Sequence, residues 1–479
     1  MLTGKRTKAL MAAGLVLAAP FALAGGAQAQ SNAELMRLIQ QLNAKVEQLE
    51  GQVQNATATA AAADTKASEA QKTASAGGGD MKYKWAPSMT FKSADGRFEM
   101  HVRGRVMVDF GHMNPDVGNK RTATEFRRAR LGIEGKAWKD VKYKFEIDFA
   151  DNSVDITDAY VQYRGWKPVK ITVGQFKEFV SLEEQTSSRH ISVMERAAFT
   201  DAFGFGRRIG IGFEGEWNGF GIGLGVYGGS DISVNEDNEG YAFAGRLYYN
   251  VDLANDNGAL HVGGSFRYRD LDNDIDEGGA AGRVRYRQRP FTHIADRFIS
   301  TDRLPYVESD TFYGAELAAS IGPFWASTEF GWLDADVMSG MEGYYNGESK
   351  INFKGGYIDV GWFITGENRP LGGGDFGRPK VKKPLFEGGM GAIALAARVD
   401  YIDLTDVNAG VVGGEQISYI FGVNWYWNRH TRVTLNYARV EIDDGSCTLI
   451  ITCVEGDATV GPDGKNSIDV ITARFAVDW

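Results

Sequence analysis

Arg283, Arg285, Arg287 and Arg289 occupy every second position of one short stretch. In an extended chain their guanidiniums project from one face, about 7 Å apart. Four like charges in a row repel, so the stretch requires solvent or anions beside it. A guanidinium forks onto phosphate oxygens through two hydrogen bonds. The row therefore reads as a ladder along which a dianion is handed from site to site. A solvated basic strand edge uses the same spacing. Ser187, Ser188 and Arg189 place two hydroxyls beside a further guanidinium. They lie between Lys177 and Arg207, a connection of about thirty residues, and loops of that length usually carry function. Arg127 and Arg128 open an alternating segment with two more cations. All of this is binding chemistry for anions rather than bond-breaking chemistry.

Catalytic readings are weaker. His190 lies close to Ser187 and Ser188, but the spacing specifies no orienting Asp or Asn for a nucleophile–base pair. The Gly-rich stretches Gly204-Phe205-Gly206 and Gly372-Gly373-Gly374 lack the Lys-Ser/Thr of a nucleotide-binding loop and read as turns. Two cysteines are too few for a disulfide scaffold or a Cys-rich zinc site. In an oxidising compartment Cys447 and Cys453 favour a local disulfide over two free thiols. No cofactor, metal or enzymatic activity is expected. The formal charge of −10 argues against general nucleic-acid binding.

The elements that position these residues repeat with a period of two. Met100, Val102, Val106, Val108 and Phe110 alternate with His101, Arg103, Arg105 and Asp109. Tyr143, Phe145 and Ile147 alternate with Lys142, Lys144 and Glu146, and the pattern recurs to the last segment, Ile468 to Trp479. About sixteen such segments start near 98, 126, 141, 154, 169, 208, 219, 241, 259, 311, 324, 353, 391, 416, 431 and 467. Short turns such as Lys139-Asp140, Asn218-Gly219, Gly322-Pro323 and Asn428-Arg429 alternate with longer loops, as in an up-and-down barrel. One join, near 366 to 389, is long where a short turn is due. The 60 glycines, 12% aromatics and 11 prolines fit many short strands and tight turns. A mean hydropathy of −0.28 excludes a polytopic helical membrane protein. A soluble sandwich is opposed by some 400 residues of unbroken meander and by aromatics at strand ends, including Trp332, Trp425 and Trp427.

The N-terminal residues have another purpose. Lys5, Arg6 and Lys8 precede an apolar stretch and an Ala27-Gln28-Ala29 cleavage pattern, so residues 1–29 read as a signal peptide. Leu35, Ile39, Leu42, Val46, Leu49 and Val53 form an a/d seam, predicting a coiled coil over 30–54. Residues 55–80, rich in Ala and Thr, read as a weakly helical linker, followed by the barrel from 81 to 479.

Several segments resemble the phosphate-selective porins O and P of Gram-negative outer membranes. They are Phe126-Arg127-Arg128-Ala129-Arg130, Val173-Gly174-Gln175-Phe176-Lys177, Thr186-Ser187-Ser188-Arg189, Arg283 through Pro290, Gly361 through Glu367, and Gly422-Val423-Asn424-Trp425-Tyr426. The resemblance implies an all-β fold, a 16-stranded antiparallel transmembrane β-barrel, with an N-terminal α-helical coiled coil as a periplasmic trimer stalk. It implies a homotrimer in outer-membrane lipid that passes inorganic phosphate or related anions. Long loops and one periplasmic turn would fold inward. Ser187, Ser188 and Arg189 would then sit at the narrowest point, facing Arg127 and Arg128. Asp158 would weaken anion binding there enough for release, although an ordinary lumen carboxylate fits equally. Lys380, Lys382 and Lys383 would draw anions to the periplasmic exit, or merely solvate that loop. Arg267 and Arg269 would extend the basic track. Two departures leave the anion open: Arg189 and Arg130 stand where the family usually carries Lys and Tyr, and the chain ends in Trp479 rather than Phe. A pyrophosphate, polyphosphate or broad anion channel is one alternative, and a structural tether with a coiled-coil stalk another.

Overall fold

The computed structural model describes residues 32–76, 81–85, 87–228, 240–253, 258–271, 284–443 and 464–479. The signal-peptide reading, Arg283, Cys447 and Cys453 lie outside the described residues. The chain forms two units. The first is a single helix, α1, Asn32–Ala76, which runs unbroken through the segment read as a linker. Its Val46, Leu49 and Val53 side chains are exposed.

The second unit is a closed antiparallel barrel of sixteen strands. They are β1 Glu99–Pro115, β2 Arg121–Ala137, β3 Val141–Asp148, β4 Asp155–Tyr163, β5 Val169–Lys177, β6 Arg207–Trp217, β7 Phe220–Gly228 and β8 Tyr241–Asp252. There follow β9 Gly258–Asp270, β10 Val307–Ile321, β11 Phe324–Val337, β12 Lys350–Phe363, β13 Ala392–Asp406, β14 Val411–Tyr426, β15 Thr431–Asp443 and β16 Asn466–Asp478. β16 pairs with β1 from Ile468↔Pro115 to Asp478↔Arg105, closing the ring. Trp479 completes the seam, exchanging backbone hydrogen bonds with Gly104 at 3.1 and 3.2 Å. A Cβ at Gly104 would come within 2.1 Å of the Trp479 ring, so any larger residue there displaces that ring.

The barrel is inside-out relative to a soluble sheet. Leu131, Val173, Leu224, Leu317, Phe421 and Ile471 point outward, each about half exposed, whereas Arg267, Arg474, Asp310 and Asp359 are wholly buried inside. Leaving a large apolar side chain in water costs about 1.5–3 kcal/mol relative to burial. Repeated around sixteen strands, that cost is avoided only in lipid, where closure also satisfies every ladder hydrogen bond. Aromatic pairs mark the short-turn rim, including Tyr163 with Trp166 at 5.5 Å and Phe324 stacked on Trp362 at 5.9 Å. They form the girdle expected at a lipid–water boundary.

Two segments fill much of the lumen. The first, residues 178–206, contains α2 Leu182–Gln185 and α3 Ala198–Ala202. Phe199 stacks on Phe312 of β10 and Tyr357 of β12 at 6.2 and 6.5 Å, and Phe205 meets Phe312 at 4.7 Å. The Leu182 and Glu183 amides donate to the Glu329 carboxylate at 2.9 and 2.6 Å, and Arg398 donates to Glu183 at 2.9 Å. The loop is thus fastened to the β10–β13 wall. The second segment is the overlong join 364–391, which enters from the short-turn rim. Arg369 donates to the His190 carbonyl at 2.9 Å, and the Phe376 amide donates to Thr186 Oγ1 at 3.3 Å. The two insertions meet inside the barrel, leaving open space along β1–β5.

Candidate anion-binding constriction

Consecutive strand residues ordinarily face opposite sides, so Arg127 and Arg128 should not both reach the lumen. A β-bulge resolves this. Phe126 pairs with Val108 and Arg128 with Met107, leaving Arg127 as the extra residue. Phe126 then points outward while Arg127 and Arg128 both line the interior. A second bulge, between β3 and β4, sits opposite Glu146/Ile147, and there Thr157 and Asp158 are both buried. Bulges are the usual device for re-aiming side chains at functional sites.

Three cavities follow one another along this wall. Arg127, Arg128, Arg196, Arg289 and His293 line the one nearest the long loops. Arg103, Arg105, Arg130, Lys144 and Arg189 line the middle one, together with Arg128 and Arg196. Arg105 and Arg189 recur in the third, with Arg378 and Arg432. Arg128 and Arg196 thus stand between the first and middle cavities, and Arg105 and Arg189 between the middle and third. The first two cavities together carry twelve arginines and lysines against six carboxylates.

Most of these cations are paired. Arg127 grips Glu195 at 2.9 Å, Arg103 meets Glu146 at 3.0 Å, and Arg130 meets Asp148 at 2.6 Å. Asp158 holds Lys144 at 2.6 Å and Arg207 at 3.0 Å. Burial raises the Glu195 carboxyl, but Arg127 and Arg474 outweigh it and hold the group well below its usual range. Burial, with the nearby Arg378 and Arg189, pushes His190 down to about 3. It is neutral and not poised as a base for Ser187 or Ser188.

Arg105 and Arg128 are different. Each is more than nine-tenths buried, makes no ion pair among the described residues, and leaves Nε without a partner. Arg105 donates to Ser188 Oγ at 2.5 Å, and Arg128 approaches only Met107 Sδ, at 3.9 Å. Arg189 binds Ser187 Oγ at 3.3 Å and likewise has no ion pair. Buried guanidiniums without counter-charges are costly unless an anion meets them.

The structure brings Arg127, Arg128, Asp158, Ser187, Ser188 and Arg189 onto this wall. Arg285, Arg287 and Arg289 share the solvent side of an extended segment whose Val284, Tyr286 and Gln288 are buried. Arg289 reaches the outermost cavity. Lys380, Lys382 and Lys383 are exposed; the first two line a separate cavity with Asp252 and Asn368. Arg267 and Arg269 do not extend the track. Arg267 is fully buried on the Phe203 carbonyl at 2.8 Å, and Arg269 clamps Asp310 at 2.9 Å. Both brace the loop and wall, because the apolar packing of 178–206 closes that side of the lumen. Sequence reasoning passed over Arg105, Lys144 and Arg196. The first two alternate with apolar residues in segments already recognised, so inward register was the available signal. Nothing local singles out Arg196.

The family profile described as phosphate-selective porin O and P matches residues 100–447. An uncharacterised protein of Caulobacter vibrioides is 36% identical over 372 residues, covering 74% of this chain and 71% of the relative. Porin O of Pseudomonas aeruginosa is 26% identical over 400 residues, covering 76% and 88%. Among solved structures, an anion-selective porin from Comamonas acidovorans aligns with a TM-score of 0.49 and 13% identity, covering 79% of this chain and 99% of that one.

Proposed function

The chain belongs to the phosphate-selective porin O and P family, and on that premise we propose that it is a passive outer-membrane channel for anions, with phosphate the preferred one. It is a channel and not an enzyme. One observation carries the reading: Arg105 and Arg128 stand buried and without carboxylate partners where successive cavities join. In such a site guanidinium donors replace the water lost from an anion, while the basic lumen raises local anion concentration. Conduction also requires release. Glu195 and Asp158 supply that by neutralising Arg127, Lys144 and Arg207 beside the unpaired pair.

In this reading the arginines at 285, 287 and 289 collect anions at the extracellular mouth. Ser187 and Ser188 contribute hydroxyls at the narrowing, and Lys380, Lys382 and Lys383 face the periplasm. The α1 seam joins three copies as a periplasmic stalk. The test is planar-bilayer reversal potential in a chloride gradient, followed by added phosphate. Anion selectivity with phosphate block of the chloride current is the expected result. Cation selectivity overturns the reading. Selectivity for anions without block leaves a broad anion channel, and stronger block by pyrophosphate reassigns the preferred anion.

A further inference from the structure

We infer that Glu125, Asp151 and His293 form a binding site for a divalent transition-metal ion at the long-loop mouth of the barrel. The three come from separate parts of the chain. Glu125 belongs to β2, Asp151 to the connection after β3, and His293 to the loop that carries the arginine row. One ligand atom from each lies within 4.8 Å of the others. One imidazole nitrogen and two carboxylates form a mixed set suited to zinc and its first-row neighbours. Three protein ligands leave a coordination position for water or a passing anion.

The charges around this cluster are unlike those along the neighbouring basic wall. Glu146, Asp158 and Glu195 each touch an arginine or lysine. Glu125 instead meets the imidazole, its Oε2 lying 2.8 Å from His293 Nδ1. Its Oε1 is shut off from solvent and has no hydrogen-bond partner. Asp151 is exposed and makes no ion pair among the described residues. Two adjacent carboxylates with an open buried lone pair constitute an unmet demand for a cation, which a hydrogen-bonded imidazole alone does not satisfy. A bound ion meets that demand. It also ties β2, the β3–β4 connection and the arginine-bearing loop to one another beside Arg127. This holds whichever anion the channel prefers.

Zinc is the probe, titrated calorimetrically into the metal-free full chain in detergent, with heat-modifiable gel mobility reporting an intact barrel. The expected result is one zinc per chain, with affinity at least tenfold weaker in each of Glu125→Gln, Asp151→Asn and His293→Ala. Asp151 is exposed, so its variant guards against loss through misfolding. Absence of zinc binding in the native chain overturns the proposal. So does native affinity in the variants, or a loss confined to His293→Ala, which indicates a lone surface histidine.

Discussion

Glu195 holds Arg127 with both carboxylate oxygens, at 3.0 and 2.9 Å, while Arg128, the next residue, has no carboxylate at all. The bulge delivers two cations to the lumen and the loop neutralises one. That division balances attraction against release. Glu195→Gln frees Arg127 from its counter-charge and should make phosphate block of chloride current several-fold stronger, with slower single-channel recovery. Unchanged block in single-channel records would remove Glu195 from the balance. Arg474 keeps its contact with Asp109 at 2.6 Å in this variant, which limits the structural damage.

The constriction and the arginine row should fail in different ways. Arg128→Ala removes an unpaired buried donor, so phosphate block should weaken tenfold or more, with little dependence on ionic strength. Arg285→Ala with Arg287→Ala removes one exposed and one half-buried charge on the solvent side of the segment, which act through a screened field. Anion entry should fall sharply at low salt and approach the native rate near 1 M. Concentration–current curves at several ionic strengths separate the two. A row variant with native flux at every salt concentration would exclude the row from transport.

The barrel was legible in the sequence because lipid enforces a strict alternation. Strand starts on the short-turn side, such as 141, 169, 324 and 431, match the observed β3, β5, β11 and β15. On the long-loop side 154, 208, 241 and 467 match β4, β6, β8 and β16 to within one residue, but four starts were read three to five residues late: 126 for Arg121, 311 for Val307, 353 for Lys350 and 416 for Val411. There the strands rise above the apolar band. Their outward positions turn polar, as at Asn352 and Glu415, and the alternation fades while the hydrogen-bonded ladder continues. The site was half legible. Residue types pointed to anions, but which arginines keep a free guanidinium depends on partners such as Glu195 and Asp310, distant in sequence. The Arg127 bulge likewise appears only in the pairing with β1.

The position of the 178–206 loop rests on aromatic packing. Phe199 lies between Phe312 and Tyr357 and is almost fully buried. Phe→Ala truncation at such a site costs about 3–5 kcal/mol, more than a mobile loop is expected to tolerate. Phe199→Ala should therefore loosen the loop without opening the barrel, whose ladder is independent of it. Single-channel conductance should rise and become noisy, and anion selectivity should fall. Phe199→Leu, which retains most of the volume, should restore much of both. A quiet, native-like conductance in the alanine variant would show that the hydrogen bonds to Glu329 suffice to hold the loop.

Asp375 should give the channel a pH dependence. It lies in the inserted turn beside Gly374, whose carbonyl accepts from Arg246 at 2.7 Å. Burial raises the carboxyl to about 6, against the opposing pull of Lys177 and Arg246. Above pH 6 the group is ionised and partly cancels Lys177, which lines the middle cavity. Below that it is neutral, so anion conductance should increase as pH falls from 7 to 5. The effect on stability has the same direction. A folded-state value above the unfolded one near 3.9 means that the folded chain binds the extra proton between about pH 4 and 6. Stability is therefore greater at the acid end of that window and declines as pH rises through 6. Asp375→Asn should raise conductance near pH 7 towards the acid-limb value and flatten the profile. His190, held neutral down to about pH 3, cannot supply this transition, so a native profile retained in Asp375→Asn would place it on another group.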